Sequence, residues 1–542
     1  MYENNKINPL ENIGAITLFN SRKNEIFYKL ANRFIFRKNI NMPVYADHTT
    51  VTAREKTTAM PPVADPLDPY VPSAAKPWNA RRVAHLYRRL GFGASLDQIQ
   101  QGLQMTPSAL VDQLLDAAAN LGPPVPMSWS NWSAADYGGN TTLIFAHIRE
   151  LKRRWLIDMA GESIRSKMAF FWHDHFVTQL SGYMCNSWLW TYYSQLHQYS
   201  FGNFKTFTLV VGKSPAMLHY LNGNLNEAGK PNENYARELM ELFTMGESNG
   251  YTQADIVEMA RALTGWTSDD DDCLPSSFNA AKHDNGQKTV FGQTANHDFD
   301  AVHNLIFSER SAQVSHHISQ KIYKYFVYQN ADAQIIDGLA TTFKNANWEL
   351  LPVMKQLFKS EHFFEDQLIN AKIKSPLEAF LPLVKMSGAV YPAEITDNWL
   401  DEINFYIYIL NEELFEPPNV SGWKEHRAWI NESTLSLRWE YAAKTLLLMA
   451  QNDSTKEKLR TMALTLTNQS NNPAVITQAL VEFFLGQDLE PVHLQAAVLN
   501  FKAGIPENYF LDGSWNLYWD EAPQQIINLL SYLIKLPEYQ LT

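Results

Sequence analysis

Leu350-Leu351-Pro352-Val353-Met354-Lys355-Gln356-Leu357-Phe358 decides the fold class. Leu350, Leu351, Met354, Leu357 and Phe358 recur at the spacing of one helical face, and Pro352 stands in the first turn, where a missing N–H costs no intrahelical bond. The same period returns at Ile526, Leu529, Leu530, Leu533 and Leu536, with Pro537 just beyond. Further toward the amino terminus, Asn79 can cap a helix whose stripe is Val83, Leu86, Tyr87 and Leu90. Gly91 offers it a left-handed stop, and Arg81, Arg82, Arg88 and Arg89 fall around its remaining surface. Alternating β-branched runs are scarce, and no longer unit repeats. The expectation is a mainly α protein, a single large helical bundle-like body with long irregular loops.

Composition narrows the classes further. Of the 542 residues 45% are hydrophobic and 13% aromatic, enough for a substantial core and far from the composition of a disordered chain. With 45 basic against 57 acidic residues the net charge is -12, which argues against nucleic acid as a partner. No stretch approaches the roughly 20 apolar residues of a membrane span. Cys185 and Cys273 are the two cysteines, too few for a disulfide framework; one bridge or none are both open. Six prolines between Pro61 and Pro77 read as an extended linker, so residues 1–77 are expected to be a poorly packed leader and 78–542 the helical domain. Ile13 to Phe19 is a short apolar run preceded by Glu3 and Glu11, so no signal peptide is evident, and residues 1–41 are expected to lie outside the mature protein.

The most polar helix runs from Pro231 to Gly246. Asn234, Glu238 and Glu241 fall at i, i+4 and i+7 with Arg237 beside Glu241, so an amide, two carboxylates and a guanidinium share a face beside the stripe of Tyr235, Leu239 and Leu242. Such a face suits a cation or a substrate. It equally suits a locked polar core in which Arg237 pairs with Glu241 and Asn234 caps the helix. Upstream, Phe170-Phe171-Trp172-His173-Asp174-His175-Phe176 carries two histidines. On a helix, residues two apart point in opposite directions, so His175 joins the inward face of Ile164, Met168 and Phe171, while His173 points elsewhere. Thr252 and Asp255 make a capping box. Gly122 to Asn140, Thr267 to Asp300 and Glu416 to Glu432 read as loops; the second holds Asp269 to Asp272, a solvated acidic run, and the third Trp423 and Trp429, which suit packing or a sugar-stacking rim. Phosphate-loop, dinucleotide and nucleophile-elbow motifs are missing.

Several segments stand in an order that is itself informative: Arg-Arg-Leu-Gly-Phe-Gly at 88–93, Phe-Trp-His-Asp-His-Phe at 171–176, Gly-Asn-Phe at 202–204 and Pro-Ala-Met-Leu at 215–218. Pro-Asn-Glu-Asn-Tyr-Ala-Arg-Glu-Leu-Met-Glu-Leu-Phe follows at 231–243, Ala-Arg-Ala-Leu-Thr-Gly-Trp at 260–266, His283-Asp284, and Pro-Pro-Asn-Val-Ser-Gly-Trp at 417–423. Over roughly residues 80–540 the chain resembles the bacterial family known as domain of unknown function 1800. The resemblance implies export, to the periplasm or cell surface, and as partner an envelope polysaccharide or a co-encoded exported protein related to sulfatases. It brings no catalytic residue assignment.

Two functions are expected from these readings. The first is a metal-assisted hydrolase of an envelope polymer or conjugate. There His175, Glu238 and Glu241 would hold a divalent metal ion, Asn234 and Arg237 would complete the catalytic site, and bound water would attack. The second is a non-enzymatic helical binding or scaffold protein, with saturated salt bridges at that face and exposed aromatics around Trp423 and Trp429.

Overall fold

A computed structural model describes residues 65–542 apart from Glu162, Ser163 and Glu425. Among the described residues, helices are joined by irregular segments and two small two-stranded sheets, as the helical periods require. Leu350–Lys359 and Ala522–Leu533 are α-helices, and the stripe residues at 350, 354, 357, 358, 526, 529, 530, 533 and 536 are all buried. Each large apolar side chain so removed from water contributes about 1.5–3 kcal/mol before entropy is counted. Trp155, Trp172, Phe176, Phe204 and Phe207 lie in one continuous aromatic core where the central helices cross.

Local signals place most helix ends. Asn79 caps Ala80–Leu90 by accepting from the Arg82 amide at 3.1 Å, and Thr252 with Asp255 forms the expected box at the start of Gln253–Ala262. Two expectations for the first of these helices are corrected. Gly91 is not left-handed; Gly93, with φ of 90°, is. Arg82, Arg88 and Arg89 are buried and do not ring the surface. The reason is visible at Arg88, whose guanidinium donates to the carbonyls of Phe483, Phe484 and Leu485 at 2.9–3.2 Å. Those are end carbonyls of the Pro473–Leu485 helix, which have no partner of their own within it.

The expected leader is described only from residue 65, and there it is partly packed; residues 1–41 lie outside the described residues. Leu67 and Tyr70 are buried, and the Tyr70 amide donates to the Lys359 carbonyl at 2.7 Å. Leu67 lies so close to Gly338 that a Cβ there would meet it at 2.3 Å. Proline fixes the chain but leaves tyrosine and leucine free to insert, and the unbroken Val71–Ala75 stretch stays exposed.

The segment read as one loop from Thr267 to Asp300 contains two hairpins. β1 (Trp266–Asp269) pairs antiparallel with β2 (Leu274–Phe278), and β3 (Lys288–Val290) with β4 (Gln293–Ala295). The intervening Arg261–Asp284 ion pair, 2.8 Å, ties the His283-Asp284 turn to the Gln253–Ala262 helix. At the tip of the first hairpin Cys273 is bonded to Cys185, which stands at the amino-terminal end of Asn186–Gln198, so the open question of the two cysteines resolves to one bridge.

Candidate functional site

The five residues expected to form a site are not gathered as a metal centre. The polar helix is α-helical over Glu233–Glu238 and then changes to a π-helical turn over Leu239–Thr244, so the phase that aligned Asn234, Glu238 and Glu241 does not continue. Asn234 is exposed, and the helix cap is Asn232, which accepts from the Asn234 amide at 2.9 Å. Arg237 is held by Glu233 at 3.0 Å, Glu241 at 3.4 Å and Gln253 at 3.1 Å. Glu238 is half-buried; burial, then the neighbouring Glu241 charge, raises its carboxyl above the usual range.

His175 is turned to another task. Its Nε2–H donates to the Phe243 carbonyl at 3.0 Å inside a cage that includes Trp172 and Phe176, and burial pulls its pKa well below the ordinary histidine value. A carbonyl only accepts, so Nε2 carries the proton and the lone pair lies on Nδ1, which is buried without a protein partner. His317 does the same for the Leu242 carbonyl at 3.2 Å. Both imidazoles thus satisfy carbonyls where the π turn ends. Among the described residues no group of three or more His, Cys, Asp or Glu side chains could hold an ion together.

His173, expected away from the core, is fully buried. Its Nδ1–H donates to the Tyr192 hydroxyl at 2.8 Å, Tyr192 donates to the Phe176 carbonyl at 2.7 Å, and Nε2 accepts from the Phe415 amide at 3.0 Å. Next to it, Asp174 accepts from the Trp423 amide at 2.7 Å. Gly422, with φ of 83°, is pressed so closely on Asp174 that a Cβ would meet its carboxylate at 2.2 Å, which is why glycine stands there. The segments 171–176 and 417–423 therefore meet face to face, and Trp423 is packed in the junction.

Behind this junction lies a charge cluster that sequence reasoning missed. Lys167 is buried and spends its three N–H bonds on the Arg88 carbonyl at 2.9 Å, the Gly91 carbonyl at 2.8 Å and the Glu378 carboxylate at 2.8 Å. Glu378 also closes a capping box with Ser375, and Lys372 approaches it at 3.7 Å. Burial alone would raise the Glu378 carboxyl, but Lys167 and Lys372 pull it well below the usual carboxylate range. Burial lowers Lys167 to about 8 against the pull of Glu378, so both members are ionised at neutral pH. Glu412, accepting from the Leu377 amide at 2.7 Å, is pushed up by burial to about 8, so its carboxyl is mainly protonated at neutral pH.

Asp174, Glu378, Glu412 and Trp423 border a cavity of only about 30 Å³, which Trp429 and Tyr325 also line. That is room for about one water, a partner for the buried Trp423 Nε1–H, which has none in the protein. The sequence did carry one signal of the cluster: Lys167 falls three residues after Ile164 and four before Phe171, a charge on an apolar stripe.

The segments that meet here are those on which the resemblance rested. The sequence pattern of the family described as Protein of unknown function (DUF1800) matches residues 85–541. The chain belongs to this family. Searches of curated proteins and of solved structures gave no match. In this DUF1800 chain the 88–93, 171–176 and 417–423 segments converge on one junction, while 260–266 and His283-Asp284 are joined by the Arg261 pair. No helix among the described residues is long and apolar enough to cross a membrane.

A second, open concavity lies elsewhere. A groove of about 410 Å³ runs between the Asn186–Gln198 helix, the Lys213–Pro215 turn and β2, with Cys273 in its wall. Its size is that of small-ligand sites.

Proposed function

We propose that this is an exported helical binding protein whose ligand is an envelope polymer, held without turnover. The observation that carries the reading is saturation: Lys167, Arg237, His173 and Arg261, charged or ionisable groups at the motif segments and their junction, are each engaged by protein partners. Groups so engaged fix backbone and leave little to spend on a reacting substrate. The Cys185–Cys273 bridge supports an oxidising compartment, because such bonds are rare where thiols are kept reduced. A hydrolytic reading retains one observation in its favour, the opposite displacement of Glu378 and Glu412 beside a water-sized cavity.

Binding is tested by co-sedimentation of the full chain with purified peptidoglycan sacculi and with an insoluble neutral glucan. The expected result is saturable pelleting with at least one of them, competed by the soluble form of the same polymer. Protein that stays in the supernatant with both sinks the reading.

A further inference from the structure

The open groove has a chemistry distinct from that of the charged junction. Ser187 Oγ donates to the Cys273 carbonyl at 3.2 Å, Thr191 Oγ1 to the Ser187 carbonyl at 2.9 Å, Ser214 Oγ to the Val211 carbonyl at 2.7 Å and Ser276 Oγ to the Lys213 carbonyl at 2.6 Å. A hydroxyl has one proton, so each of these oxygens has only lone pairs left to offer. Gln195 adds a side-chain oxygen that is buried and has no protein partner. Even the Trp188 indole N–H is spent, on the Leu274 carbonyl at 2.8 Å. These oxygens therefore ask for hydrogen-bond donors, while the amides of Asn131 and Gln195 keep N–H groups for acceptors.

Charge decides which donors. Among the described residues no carboxylate lines the groove, and the one cation there, Lys213, is paired with Asp300 and sits over the Trp266 and Phe299 rings at 4.9 and 5.4 Å. An ammonium-bearing ligand would meet that lysine with no carboxylate on the wall to offset it, and a polyanion would meet lone pairs. Neutral hydroxyls fit both conditions. Leu274, Pro215 and Pro275 supply apolar surface for the C–H faces that a sugar ring presents between its hydroxyls.

We propose that the groove between the Asn186–Gln198 helix and β2 binds a neutral carbohydrate through these acceptor oxygens. This rests on the binding reading above and names its ligand class. The disulfide joins the two walls, since Cys185 precedes the helix and Cys273 adjoins β2.

The test is isothermal titration of the full, oxidised chain with four probes: chitotetraose, cellotetraose, the polyanion tetragalacturonate and the polycation spermidine. Gln195→Leu removes the unpartnered acceptor with little change of volume, and Ser276→Ala removes a second one at the other wall. The expected result is binding of at least one neutral tetrasaccharide, weakened ten-fold or more by Gln195→Leu and measurably by Ser276→Ala, with thermal midpoints unchanged. Binding of neither neutral probe overturns the proposal, as does neutral binding that both variants leave intact, or preference for a charged probe. Pelleting with sacculi or glucan alongside any of those outcomes would leave the binding reading standing and remove only this ligand class. Loss of pelleting as well would remove both.

Discussion

Lys167→Met is expected to destabilise the folded chain by about 3–5 kcal/mol, because it leaves the Glu378 carboxylate and the Arg88 and Gly91 carbonyls buried without their shared donor. Lys167 and Glu378 have side chains 1% and 7% exposed, so water cannot take the missing partner's place. Lys372, at 3.7 Å and supported by the Tyr325 carbonyl, compensates only part of the charge. Urea unfolding at pH 7 measures the loss, and a cost below about 1 kcal/mol would show that the pair is not the buried keystone described here. Lys167→Met combined with Glu378→Leu should lose less than the sum of the two single losses, because the second change removes the charge that the first one strands.

Removing the bridge by Cys185→Ser with Cys273→Ser has a comparable expected effect. The two residues are 88 apart in sequence, and for a closed loop of that length the chain-entropy model gives about 4–5 kcal/mol. Dithiothreitol added to the unaltered chain should lower its thermal midpoint toward that of the double variant. It should also weaken ligand binding at the groove, since the hairpin wall loses its tether to the Asn186–Gln198 helix. A midpoint that neither treatment moves would mean that the hairpin is held by its other contacts, such as the Trp188 to Leu274 bond.

What the sequence revealed and concealed follows from the range of the interactions involved. Helical stripes such as 350–358 and 526–536 repeat within a few residues and fix their own buried face, and the caps at Asn79 and Thr252 need only the next three residues; all were legible. β1 and β2 were not. Both strands are short and none of their residues is buried, and their pairing passes through an irregularity between Thr267 and Asp269, so no clean alternation marks them.

The surroundings of the expected site were hidden for a related reason. The i, i+4 spacing was enough to pair Arg237 with Glu241, a contact the structure shows at 3.4 Å. The π turn at Leu239–Thr244 depends on neighbours such as His175 and His317, which come from far along the chain to take its carbonyls. Lys167, Glu378 and Glu412 likewise meet only through tertiary packing. The Ser375-to-Glu378 capping box could be read from spacing alone, but nothing local says that its glutamate also faces a buried lysine.

The central claim, binding without turnover, is tested most directly by following new reducing ends and new amino termini while the oxidised chain is held with the polymer that it pellets. The account predicts no release above a protein-free control over a day, for the unaltered chain and for Glu412→Gln alike. Release that grows with protein concentration and is abolished by Glu412→Gln would contradict it, and would make the protonated Glu412 beside its water-sized cavity a catalytic acid.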